Sequence, residues 1–160
     1  MIKDLHIAER KIGRWTMATV EFKSATSQLE IPVTGIIANS VPTSETGKRR
    51  LIEWKQNVAS AAKRSRGQNP LDSRWIFAIS TGFSFNPRIH GSQPLDIENF
   101  LKPCFDALAA GLFCPNDQDP GKIQRYNYDD SNFVYLFVHR LSDARTESDE
   151  GAVFFVSAVG

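Results

Sequence analysis

The chain has little of what would place it quickly. Its 160 residues hold two cysteines, Cys104 and Cys114, with no CxxC and no second pair. Such spacing gives neither the thiol pairs of a zinc site nor the dense framework of a small secreted domain. They are expected to be reduced, buried thiols of a cytoplasmic protein, with a disulfide or a metal ligand as the alternatives. No charge surplus exists: 19 Lys and Arg against 18 Asp and Glu leave a formal +1, so total charge argues for neither nucleic acid nor membrane. No apolar run approaches the ~18 residues that a membrane span needs. The opening MIKDLHIAERKIGRW scatters charges where a secretory signal has an apolar stretch, so neither membrane insertion nor export is expected. What is present is core-forming material. With 41% hydrophobic and 11% aromatic residues, residues 1–160 can build one domain of ordinary core size.

Hydrophobic period sorts the chain into elements. Thr16 to Phe22 and Leu29 to Ile37 are rich in β-branched residues, and a short connection at Ser27-Gln28 predicts a hairpin or two adjacent strands. SVPTSETG is turn chemistry. After it, Leu51, Trp54, Val58 and Ala62 repeat on one helical face through residue 66. Beyond the Gly and Pro of RGQNPLD, Trp75, Phe77, Ile79, Phe83 and Phe85 alternate as in a strand with one strongly apolar face. NPRIHGSQP is a loop, and LDIEN is predicted to be extended as it enters a helix carrying Leu101, Cys104, Phe105, Leu108 and Leu112. Pro103 is tolerated in a first turn, so that helix should begin a few residues before it. FVYLFVH, apolar on both faces, predicts a central strand. SDARTESDE is a solvated acidic connection, and GAVFFVSAV is a last strand. Five or six strands in a mixed sheet with two main helices make an α+β fold.

The neutral total hides segregation. Residues 48–66 contain seven Lys or Arg and one Glu, whereas residues 94–119 contain five acids and Lys102 alone. At ~100° per residue, Lys48, Arg49, Lys55, Lys63 and Arg66 fall on one flank of the helix, beside its apolar stripe. Such a flank can neutralise phosphates, or simply be a solvated face. Arg88, in the loop before the acids, is a further candidate DNA contact. Concentrated carboxylates can hold a hard divalent cation. In Asp96-Ile97-Glu98, the two acids on an extended segment would point the same way. Lys102 could then pair with Glu98 or stabilise a phosphate oxyanion. A basic flank, clustered acids and a lysine are the parts of metal-assisted phosphodiester hydrolysis. DxE followed by Lys, taken alone, equally describes an exposed turn or a helix cap.

The wider segment LDIENFLKPCFDALAAGLFCPNDQD resembles the central signature of RusA-like Holliday-junction resolvases. That signature is approximately D-x-D-N-x-x-K-x-x-x-D-x-L, a short spacer, an apolar pair and D-D-S-Q. Carried over without a gap, the metal-binding acids fall on Asp96, Glu98 and Asp117, and the functional lysine on Lys102. Asn99, Asp106, Leu108 and Gly111 also match. Departures are Glu98 where Asp is typical, Asn116-Asp117-Gln118-Asp119 in place of D-D-S-Q, and Leu95 where a basic residue is common. The resemblance implies a small α+β domain acting as a homodimeric, Mg²⁺-dependent endonuclease, with Mn²⁺ as an alternative ion, that makes paired nicks in four-way DNA junctions. Asp96, Glu98 and Asp117 would hold the ion, with Lys102 beside it. The alternative, favoured by the departures, is a catalytically weak or inactive nucleic-acid-binding relative of the same fold.

Overall fold

The computed structural model describes residues 4–35, 45–85, 98–115, 131–141, 146 and 149–160, with backbone only at 45–47, 98–100 and 102. In chain order the elements are β1 (Leu5–Ile12), β2 (Trp15–Phe22), β3 (Ser27–Thr34), α1 (Glu45–Arg66), β4 (Ile76–Ser84), α2 (Glu98–Phe113), β5 (Phe133–Arg140) and β6 (Gly151–Val159). The architecture is the expected α+β class, the described residues forming six strands divided between a two-stranded hairpin and a four-stranded mixed sheet. Among the described residues no helix is long and apolar enough to cross a membrane.

The sheet order is β3-β6-β4-β5. β6 runs antiparallel to both β3 and β4, and β5 runs parallel to β4. β3, β4 and β5 therefore point the same way and end at one edge. Parallel neighbours need a crossover, and α2 supplies it between β4 and β5, as α1 does from β3 over β6 to β4. Both helices cover one face. There Phe77, Ile79 and Phe83 of β4 and Phe154 and Val156 of β6 pack with Trp54, Val58, Leu108 and Leu112.

The opposite face is covered by the hairpin, where Ile12, Trp15 and Met17 pack on Val153 and Phe155. Alternate residues of β6 thus serve two cores, which is why GAVFFVSAV is apolar nearly throughout. Two hydroxyls in this layer have a specific task. The Val20 amide donates to Ser80 Oγ at 2.8 Å and the Phe22 amide to Ser157 Oγ at 3.0 Å. Amides of β2 that would otherwise be buried without partners are satisfied by the sheet face beneath.

Three expectations are corrected. β2 pairs with β1, not β3, through Gly13-Arg14, where Gly13 has φ 59° as the first position of a type II′ turn requires. β3 pairs instead with β6. β5 is an edge strand, with Val134 and Leu136 half exposed, although its sequence suggested a central one. Glu98 is the first residue of α2 rather than part of an extended run, and Pro103 lies inside that helix, beyond its first turn. Cys104 and Cys114 are buried thiols outside any disulfide, as expected, and burial pushes the Cys104 thiol up to about 12.

Candidate functional site at the carboxyl edge of the sheet

The helices start at the edge where β3, β4 and β5 end, and their mutual direction follows from contacts near their other ends. A Cβ placed on Gly111 would lie 2.7 Å from Ala62 Cβ and would also meet the Ala59 carbonyl. One turn further on, Arg66 donates to the Gly111 carbonyl at 3.0 Å and to that of Cys114 at 2.7 Å. The C-terminal ends of α1 and α2 therefore coincide. The helices run parallel, and both N-termini lie at the carboxyl edge of the sheet, the usual place for ligand sites in crossover folds.

This arrangement brings some of the expected residues into one neighbourhood. Glu98 opens α2 and Lys102 lies about one turn further along its backbone, at the end where α1 carries Lys48 and Arg49, both exposed. Two parallel helix N-termini add partial positive charge at the same end. Lys55 and Lys63 are half-buried further along α1, and Lys63 lies about 22 Å from Lys48 at 1.5 Å per residue. Asp96, Asp117 and Arg88 lie outside the described residues, as do the side chains of Glu98 and Lys102.

Arg66 is a correction. It was expected on the solvated basic flank, but it is buried at 9% relative exposure. Its guanidinium also donates to the Gly67 carbonyl at 3.1 Å. The last carbonyls of a helix lack partners within it; a cation there satisfies them and complements the dipole. Arg66 thus holds the exit of α2 and does not face a phosphate.

The hairpin side of the same edge contains a cavity of ≈ 490 Å³ lined by Glu9, Arg14, Trp15, His139, Arg140 and Leu141. Arg14 is engaged: it reaches Asp149 Oδ1 at 3.5 Å and stacks 4.7 Å over the Trp15 ring. Arg140 stacks 4.5 Å over Phe85. His139 Nε2 is buried and has no hydrogen-bond partner among the described residues. Burial holds its pKa below the ordinary histidine value, against a smaller opposing effect of the Ala18 backbone, so the ring is neutral near pH 7. Sequence reasoning gave His139 no role, because its neighbours across the cavity come from the far end of the chain. Among the described residues no group of three His, Cys, Asp or Glu could hold a metal ion. No protein-family model matches the chain, and no curated protein matches it.

Proposed function

We propose that the protein is a metal-dependent endonuclease of branched DNA whose ion-binding acids are divided between two copies of the chain. The signature from Asp96 to Asp117 motivates the chemistry, and the basic start of α1 beside the start of α2 supports a phosphate-facing edge. The observation that carries the reading is the length of α2. The Cys114 amide bonds to the Ala110 carbonyl at 2.9 Å, so helical geometry continues from Glu98 to Cys114, about 24 Å at 1.5 Å per residue. Three further residues of chain to Asp117 recover at most about 11 Å. A separation of roughly 13 Å is left even if no residue is used for a turn. Carboxylates sharing one Mg²⁺ must each approach it to about 2.1 Å, which one Glu and one Asp cannot do across that gap. Glu98 fits a common ion with Asp117 only when the latter comes from a second copy.

The ion, when bound, supplies Lewis acidity towards a phosphodiester oxygen and a more acidic water. The chain's own groups supply the rest. Asp96 and Glu98 lead into α2, Lys102 offers an ammonium to the phosphate oxyanion, and Lys48, Arg49, Lys55 and Lys63 neutralise the flanking backbone. Hydrolysis adds water across one P–O bond: oxygen bonds to phosphorus, and its proton goes to the departing alkoxide.

Mixing two inactive variants tests this reading. Asp96→Asn and Asp117→Asn should each abolish Mg²⁺-dependent nicking of a four-way junction without abolishing binding. Co-refolded at equal amounts, they should recover roughly a quarter of the parent sites, since half of the dimers are mixed and each mixed dimer keeps one intact site. A mixture that stays inactive beside an active parent means that each site lies within one chain. A parent that cuts neither branched nor linear DNA in Mg²⁺ or Mn²⁺ defeats the nuclease reading itself.

A further inference from the structure

We propose that the cleft between the outer edge of β2 and the end of β5 is a nucleotide site, whose main-chain wall takes the hydrogen-bonding edge of a thymine base. The cleft holds ≈ 490 Å³, within the roughly 300–1,000 Å³ usual for small-molecule sites.

The register of the hairpin decides what that wall presents. Ile12 and Trp15 flank a two-residue turn and therefore exchange hydrogen bonds. Bonded and non-bonded pairs alternate along an antiparallel ladder, so Thr16, Ala18, Val20 and Phe22 turn their N–H and C=O groups away from β1. Two of these amides show the direction: those of Val20 and Phe22 reach Ser80 and Ser157 of the sheet. Thr16 and Ala18, nearer the turn, line the cleft instead. The Ala18 carbonyl faces His139. Among the described residues the Thr16 N–H, the Thr16 carbonyl and the Ala18 N–H have no backbone partner. The wall thus reads donor, acceptor, donor.

Length and pattern select the occupant. Thr16 to Ala18 spans about 7 Å of strand, the scale of a planar heterocycle. An added peptide strand pairs over more residues than that, and at Val20 the edge is already engaged by Ser80. Thymine reads acceptor, donor, acceptor along O4, N3–H and O2, so it meets either adjacent pair of the wall with one bond given and one received.

Charge and rigidity suit a nucleotide. Arg14 and Arg140 line the cleft against Glu9, a formal +1 that favours an attached phosphate. Both guanidinium groups are held in place, Arg14 on Asp149 and Trp15 and Arg140 on Phe85. The far wall is fixed as well: the Leu141 amide donates to the Phe83 carbonyl at 2.7 Å, and its side chain fills the space over Gly82, where a Cβ would lie 3.0 Å from it. The site stands apart from the nuclease reading. Under that reading its occupant is a base drawn out of the stack near the branch.

Amide NMR of the full chain titrated with dTMP, without metal, tests the site. The Thr16 and Ala18 amides should shift, and N3-methyl-dTMP, which lacks the donor, should bind at least about 10-fold more weakly. Thr16→Pro removes one donor that the ladder does not use, a position where an edge strand accepts proline, and should weaken dTMP about 10-fold. Arg140→Ala should weaken dTMP but not thymidine, and circular dichroism checks that both variants fold. Hexathymidylate bound more tightly than dTMP identifies a strand as the source, and equal affinity a free nucleotide. Amides that ignore millimolar dTMP, shifts reproduced by inorganic phosphate, or an N3-methyl analogue that binds as well overturn the proposal. A chain that binds dTMP in this way yet cuts no DNA keeps the site and loses the nuclease reading alone.

Discussion

Arg66 Nη2 donates to the Cys114 carbonyl at 2.7 Å, so the last residue of α1 closes the end of α2. The bond joins the two crossover helices where the chain leaves for Asp117. It converts what resembles a surface cation into part of the core.

Arg66→Ala is expected to destabilise the fold by about 3 kcal/mol, because buried carbonyls lose charge-assisted donors. Arg66→Lys should recover less than half, since an ammonium cannot reproduce the guanidinium fork. Urea denaturation reads both. Measured well below the melting temperature, the salt dependence of DNA binding should be that of the parent.

The exposed cations are expected to do the reverse. Lys48→Ala and Arg49→Ala should each reduce the slope of log K against log salt for a four-way junction by about 1, while changing stability by no more than about 0.5 kcal/mol. Fluorescence anisotropy across a sodium chloride series gives the slopes.

Acid should weaken the hairpin layer. Glu21 is 1% exposed in its side chain and accepts from Arg10 Nε at 2.6 Å and Nη2 at 2.7 Å, and from the Thr19 hydroxyl. The Arg10 bonds hold its pKa below the ordinary value of 4.5, overcoming the opposing effect of burial. A depressed carboxyl contributes stability that is present above its unfolded pKa and is lost as pH falls through the folded one. Stability should therefore decline below pH 4.5. Glu21→Gln should flatten that decline and cost about 3 kcal/mol at neutral pH, where Arg10 loses its buried anionic partner. Urea melts from pH 7 to pH 3 measure both effects.

Gly111→Ala is expected to destabilise by about 2 kcal/mol, although alanine is the better helix former, because the added methyl meets Ala62 Cβ and the Ala59 carbonyl and pushes α1 from α2. Adding Ala62→Gly should restore only part of the loss, since the carbonyl remains. Thermal melts of the single and double variants test the relation.

Strong periodicity made several elements legible. Phe77, Ile79, Phe83 and Phe85 announced β4, and Leu51, Trp54, Val58 and Ala62 announced α1, because each set lies on one buried face. β1 was hidden for a physical reason. Its inward positions include Arg10, paired with buried Glu21, while Ile7 points to solvent, so its amphipathic pattern is partly inverted. β5 misled because residues apolar on both faces look alike in an inner strand and in an unshielded edge. For the candidate site, the spacing of acids and lysine was readable in the sequence. Whether those acids can meet was not, since that depends on α2 running straight through the interval and on the direction shared by two helices.

The place of β6 has a consequence for how the molecule is made. This strand is the last described element to leave the ribosome, yet it lies between β3 and β4 and supplies both cores. Ser27 must wait for Ala158 as its partner in the ladder. Until then a nascent chain can zip its N-terminal hairpin but lacks the strand that puts Val153 and Phe155 beneath it. The sheet closes from the middle, and a truncation that removes β6 takes away the keystone rather than an ornament at the rim.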